Sequence, residues 1–558
     1  MESIGLRIDP RWLRACLPLL LAGSVVVASL LLNRTVFQGV PHTEDEIAFL
    51  FQAATLARGH LVAPAPPVPD AFAIPFVIVR DGMWFGKYPP GYPLVLALGV
   101  LVGYPPIVNA LSAGFCVLLV VALAHRVYDF PSGLLAAILL ATSPFFLLQA
   151  ASFMAHTVCL LLTLVFLYSF AATLRQPSLV RAFPGAGTAA ILVLARPLTA
   201  VGVLLPFAVW SLWRLWRCPT WRPIALCYAA GGLLGSIGLL AYNRLTTGNP
   251  FLFGYELWWP FDKVGFGSGI SPDGKHTLAE GILNTRSNIQ LLEEVLYGWP
   301  GRLDLLPALL GIVVAAIRLA LHPLRQVARS HAVPLDSAFD LALAAQVTTL
   351  IAVHVAYWTP GQMYGPRYYF EALGAIVLLS ARGLLAVAAG IRWLWRVVTL
   401  RHDVPEPLVA SGSIILVALV GWGLFVTGIP WWRSYSGWYD IHAEPARTVA
   451  AQAPPHSLVL LPVSYWTEYA PFFVRNSPLL DSSVLFAQDL GPRNTEILAA
   501  FPDRVVVRYS GGTFTPLQIG NVYPFTDDTR TGLAAGLTGW VRSPRVREKL
   551  PHLQKVER

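Results

Sequence analysis

Long apolar runs alternate with short polar breaks over most of the chain. Most approach the roughly 20 residues that an α-helix needs to cross lipid. The first extends from Ala15 to Leu32, behind Arg7, Arg11 and Arg14, and no small-x-small cleavage site follows it, so it reads as a retained span. Further spans are predicted at Pro106–Ala124, Pro131–Leu148, Met154–Leu174, Ala182–Ala195, Pro197–Trp213 and Pro223–Tyr242. After a long loop come Leu303–Leu321, Phe339–Trp358, Tyr368–Leu385 and Pro407–Gly428. Tyr92–Val102 is too short to span and leads into the second run. The pattern predicts a mostly α fold, a polytopic transmembrane helical bundle of about eleven spans. Two longer polar stretches, residues 33–91 and 243–302, interrupt it. In the first, Ile47, Phe49, Leu50, Ala53, Ala54 and Ala57 recur at helical spacing between Glu46 and Arg58. That spacing predicts an amphipathic helix on the membrane surface, ended by the prolines of Pro64–Pro69. Beyond Pro430 the pattern becomes that of a soluble domain. Leu458–Leu461 and Val505–Val507 predict buried strands, and Ala446–Ala453 and Thr495–Phe501 predict helices. Residues 1–429 are therefore expected to form a transmembrane module and residues 430–558 a small extracytoplasmic α/β domain, with the basic stretch Arg542–Arg558 disordered.

Composition and charge sharpen this picture. The 558 residues are 55% hydrophobic and 13% charged, against about 25% charged in a soluble protein. Eighteen Trp and 19 Tyr suit aromatic belts at both membrane faces. A formal charge of +9 would suggest nucleic acid in a soluble protein. Here the arginines gather in alternate loops instead: Arg126, Arg175, Arg181, Arg214, Arg217 and Arg222, then Arg318, Arg325, Arg329, Arg392, Arg396 and Arg401. Between Pro106 and Tyr242 the turns on the other side hold Arg196 alone. By the positive-inside rule the N-terminus is cytoplasmic, and an odd number of spans puts the C-terminal domain outside the cytoplasmic (inner) membrane. Nucleic acid is not an expected partner. The five cysteines (Cys16, Cys116, Cys159, Cys218, Cys227) lie in or beside apolar runs, with no disulfide or zinc spacing.

Polar residues that the spans do not explain are the candidates for chemistry. Glu44-Asp45-Glu46 follows the first span, and Lys87 precedes Tyr88-Pro89-Pro90-Gly91-Tyr92-Pro93 where the chain re-enters lipid. Ionisable groups at such a boundary are costly to desolvate and mark function by default. A carboxylate pair suits a general base or metal ligand, and a lysine suits a phosphate; the alternative is ordinary solvated loop charge. Between Asp129 and Glu256 the chain has no Asp or Glu, unlike a proton-coupled carrier, which keeps carboxylates within its spans. Arg196-Pro197 stands between two short spans, as a phosphate contact or a snorkelling arginine. Arg367 opens the tenth span in Gly365-Pro366-Arg367-Tyr368, with Glu371 four residues on as its helical partner. His156 sits at another outer turn, where a lone histidine is more often a hydrogen-bonded interface residue than a ligand.

Together these residues carry a resemblance. The acidic pair after the first span, the Lys-x-Pro-Pro-Gly-Tyr-Pro run, the Arg-Pro and the Gly-Pro-Arg-Tyr stand in this order on one predicted face. The chain thereby resembles the C-type integral membrane glycosyltransferases, the superfamily of the protein O-mannosyltransferases and the lipid A aminoarabinose transferase. The resemblance implies a donor sugar linked to a polyprenyl phosphate and transfer to a glycan, lipid or protein acceptor. It implies that Asp45 acts at the acceptor with Glu46 supporting it or binding a divalent metal, that Lys87 contacts the donor phosphate, and that Arg367 is a second phosphate contact. Arg196 joins the phosphate-binding candidates, and His156 and Glu371 are candidate acceptor or metal contacts. Ala155-His156 stands where the aminoarabinose transferases often have an acid, which puts a metal in doubt. A lipid-linked glycan flippase, a membrane polysaccharide polymerase, a secondary transporter and an assembly protein are the other classes that fit many spans.

Overall fold

The computed structural model describes residues 10–325, 335–400 and 405–517; Arg7, Arg329, Arg401 and the stretch Arg542–Arg558 lie outside them. The chain divides into two compact units.

The first unit comprises residues 1–39, 48–61 and 86–436 and holds the apolar helices. In lipid every backbone polar group must be satisfied within its own segment, which only helices achieve for a single run. Among the described residues eight helices are long and apolar enough to cross a membrane: Cys16–Thr35, Ile107–Val127, His156–Arg175, Pro197–Arg217, Pro219–Thr247, Leu335–Val355, Arg367–Thr399 and Ala410–Asp440. The run expected as one span at Pro131–Leu148 is two helices, Phe130–Ala141 and Pro144–Ala151, bent by 62°. Pro144 has no N–H with which to continue the first helix. The Ser143 hydroxyl accepts from the Phe146 N–H and so starts the second as its cap. Counted as one span the pair makes nine; Leu179–Ala195 and Leu306–Leu321 are apolar but shorter. Length and composition therefore do not reach the expected eleven.

The helix Glu44–Ala57 is present where an amphipathic helix was expected, but it does not lie on a surface. Ile47, Ala48, Phe49, Phe51 and Ala53 are all buried. Within the first unit Phe49 packs against the rings of Tyr88 and Tyr92, and Gln52 donates to the Tyr88 carbonyl and the Tyr242 hydroxyl.

Small residues bring the membrane helices close together, as lipid-embedded packing favours. A Cβ built on Gly231 would lie 2.2 Å from the Ala186 carbonyl oxygen, whereas one on the adjacent Gly232 would meet nothing within 4 Å. Gly231→Ala should therefore lower stability by about 1–3 kcal/mol through overpacking. Gly232→Ala should be neutral or slightly stabilising through helix propensity. Thermal unfolding of the two variants in detergent checks the pair, and equal midpoints would sink the close-packing account.

The second unit comprises residues 40–47, 62–85 and 437–558. Its core is a sheet in which Ser457–Leu461 pairs in parallel with Val484–Gln488 on one side and Val505–Ser510 on the other; Thr513–Pro516 runs antiparallel at the edge. The central strand is buried along its whole length, as the continuous apolar run requires. Helices Trp466–Phe473 and Asn494–Ala500 form the crossovers, and Ala443–Gln452 precedes the sheet. First-loop residues belong to this unit too: Phe72 meets Phe501 and Trp84, and Trp84 meets Phe473.

Candidate active site

Two buried ionic clusters in the first unit share one aromatic wall. The first forms around Lys87, which is 4% exposed. Pro89 and Pro90 fix the chain just beyond it, and the backbone of Gly254 presses on it: a Cβ there would lie 2.3 Å from the Lys87 carbonyl oxygen. The Lys87 Nζ stands 3.6 Å from Asp262 Oδ2. It also faces the rings of Trp259, Tyr88 and Tyr255 at 4.7, 5.3 and 5.6 Å from their centroids. Ring faces and a carboxylate both favour the ammonium form. The other carboxylate oxygen, Oδ1 of Asp262, accepts from the Tyr357 hydroxyl at 2.7 Å and the Trp358 indole N–H at 3.0 Å. Burial, with the neighbouring Tyr368 and Asp262, pushes the Tyr357 phenol well above its ordinary range, so it stays a donor.

The Tyr357 ring meets Tyr368 edge-on at 5.6 Å, and Tyr368 leads to the second cluster. His354 stacks on Tyr368 at 4.9 Å, and the Arg196 guanidinium lies 5.8 Å from the same ring. Arg196 Nε stands 3.3 Å from Glu371 Oε1 and its Nη1 3.4 Å from His156 Nε2. His156 Nδ1 is 3.1 Å from the same Glu371 oxygen. With Arg196 donating to Nε2, the imidazole proton resides on Nδ1 and is donated to Glu371. Glu371 and His156 are fully buried. The expected pairing of Glu371 with Arg367 does not form. Arg367–Ala372 winds as a 3₁₀ helix, where residues three apart eclipse, so the four-residue spacing loses its alignment. Glu371 turns to Arg196 and His156 instead. Arg367, 8% exposed, lies against Tyr368.

The first-loop acids belong to the second unit. The helix starts at Glu44, two residues before the expected Glu46. Glu46 Oε2 accepts from the backbone N–H of His42 at 2.8 Å and of Thr43 at 3.2 Å, and Thr43 Oγ1 accepts from the Glu46 N–H at 3.4 Å. This is a capping box, and it gives the Glu46 carboxylate a structural task. Asp45 is half-buried in the first turn, where the helix N-terminus favours its ionised form. Beside it His42 is buried, and burial lowers its pKa to about 4, so the ring is neutral at neutral pH.

Among the described residues no three His, Cys, Asp or Glu side chains come together as metal ligands. The sequence did not single out Asp262, Tyr255, Trp259, Tyr357 or Trp358, although an acid ending the run Trp258-Trp259-Pro260-Phe261-Asp262 in a long loop between apolar runs was a usable signal.

The architecture matches those of two solved structures. It is shared with ArnT, the lipid A aminoarabinose transferase, of Cupriavidus metallidurans, solved bound to undecaprenyl phosphate: TM-score 0.50, 12% identity, 88% of this chain and 91% of that one covered. It is also shared with the oligosaccharyltransferase of Archaeoglobus fulgidus in its apo form: TM-score 0.50, 12% identity, 85% of this chain and 64% of that one covered. At this identity the likeness is one of fold. Residues 457–525 match the model of a domain of unknown function, DUF7846. No curated protein sequence matches the chain.

Proposed function

We propose that this protein is an integral membrane glycosyltransferase that moves a sugar from a polyprenyl-phosphate-linked donor to an acceptor hydroxyl at the extracytoplasmic face of the cytoplasmic membrane, with inversion. The observation that carries the reading is the buried Lys87 ammonium, held among three rings beside a carboxylate, in a fold whose relative ArnT was solved with a polyprenyl phosphate bound. A dry cation backed by ring faces is a site for a lipid phosphate.

In the reaction the acceptor oxygen attacks the anomeric carbon in line with the leaving group. The bond from that carbon to the phosphate oxygen breaks, and its electron pair departs with the polyprenyl phosphate. Lys87 stabilises the charge that develops there. Asp45 orients the acceptor hydroxyl and takes up its proton. Arg196 is committed to Glu371, so the second phosphate contact falls to Arg367, and Glu371 and His156 hold Arg196 in place. The loops 33–91 and 243–302 and the second unit then lie outside. The test is incubation of the purified protein, in membranes carrying its native acceptors, with radiolabelled polyprenyl-phosphate sugars. Label entering acceptor together with release of polyprenyl phosphate supports the reading; intact donor that merely changes leaflet overturns it in favour of a flippase.

A further inference from the structure

Asp262 plays no part in the steps above, yet it is among the most deliberately held carboxylates in the first unit. Its side chain is 2% exposed, one oxygen is fixed by Tyr357 and Trp358, and the other is aimed at Lys87. A phosphate that docks on the Lys87 ammonium must sit beside this negative charge. The two lipids that visit such a site differ in charge. A sugar-bearing phosphodiester carries one negative charge. The monoester left after transfer carries close to two above its second pKa of about 6.

We propose that Asp262 makes the Lys87 site selective for the charge state of its lipid: the site retains the singly charged phosphodiester donor and repels the doubly charged monoester product, which therefore leaves. This rests on the reading that Lys87 binds the donor phosphate. A unit charge a few ångströms away in a partly buried site changes affinity by at least about tenfold, and a dianion feels it twice. Among the described contacts the ionisable neighbours of the pair are the phenols of Tyr88, Tyr255, Tyr357 and Tyr368, and the nearby Lys263 pairs with Glu256 at 3.8 Å. The second ionisation of a phosphate monoester falls between pH 5 and pH 8, so the change in selectivity across that range tracks the lipid's own phosphate.

The experiment measures dissociation constants of undecaprenyl phosphate and of its O-methyl phosphodiester for the full-length protein in phosphatidylcholine nanodiscs. At pH 8, Asp262→Asn should tighten the diester about tenfold and the monoester about a hundredfold. At pH 5 the two gains should become equal. Asp262→Glu should keep the wild-type ratio of the two constants. Tyr357→Phe, which strips a hydrogen bond from the carboxylate and leaves its charge less screened, should shift that ratio the opposite way, against the monoester. Damage to the fold would weaken both lipids alike. Equal gains for both lipids at pH 8, or no gain, with Lys87→Ala still weakening both, overturns the charge selection and leaves the Lys87 reading standing. If Lys87→Ala binds both lipids as well as the wild type, the phosphate site itself is elsewhere and the proposal fails with it.

Discussion

Asp45→Asn should abolish most transfer, by roughly the 10²–10⁴-fold that a positioned general base contributes, while leaving the fold and donor binding nearly intact. Asparagine keeps the size and the hydrogen-bonding reach of the side chain and loses only the charge. The structure sharpens the contrast with its neighbour. Glu46 is occupied by the N–H groups of His42 and Thr43, and glutamine serves a capping box about as well as glutamate. Glu46→Gln should therefore retain most of the activity. Placement of Asp45 in the first helical turn favours its ionised form, so it first orients the hydroxyl and takes the proton only as the new bond forms. Initial rates of sugar transfer for the two purified variants decide the matter. Near wild-type turnover in Asp45→Asn would move the base elsewhere.

The second large effect is at Lys87. Lys87→Ala removes a desolvated cation from the phosphate site and leaves Asp262 buried without its counter-charge. Breaking one side of such a pair costs about 2–5 kcal/mol, which corresponds to a loss of roughly 30-fold to several thousand-fold in donor affinity. Part of that figure is instability of the free protein, because an unpaired buried carboxylate is costly to either state. The double variant Lys87→Ala/Asp262→Asn should restore the unfolding midpoint without restoring donor use. Lys87→Arg should also fail: a planar fork does not replace a compact ammonium inside three rings. Unchanged apparent affinity and turnover in Lys87→Ala would end the phosphate assignment.

The membrane helices were legible because lipid imposes one period and one length on the sequence. What length alone could not foresee was Pro144, which converts one apolar run into two helices. In the second unit the strand Ser457–Leu461 was readable as an uninterrupted apolar run. Val484–Gln488 was missed although four of its five residues are apolar, and Thr513–Pro516 was missed because it is short, largely exposed and of mixed polarity. Lys87 was legible because a charge stood against a proline run at a predicted boundary. Its partner was not: Asp262 lies in another loop, and only the folded chain brings the two together. The same holds for Glu371, whose local spacing pointed to Arg367 while the 3₁₀ winding delivered it to Arg196 and His156. Local periodicity reports the element; it is silent about which distant charge the element meets.

The bend at Pro144 bears on how the protein is made. The Ser143 hydroxyl donates to the Leu296 carbonyl, and the Trp432 indole N–H donates to the Pro144 carbonyl at 3.0 Å. These contacts join residues that a ribosome produces far apart in time, since domains and spans emerge from the N-terminus onward. While the chain is being threaded into the bilayer, the broken helix pair waits with part of its polar surface unsatisfied. Leu296 arrives more than a hundred residues later, and Trp432 only with the last span. The final helix to enter the membrane thus closes a contact opened by one of the first.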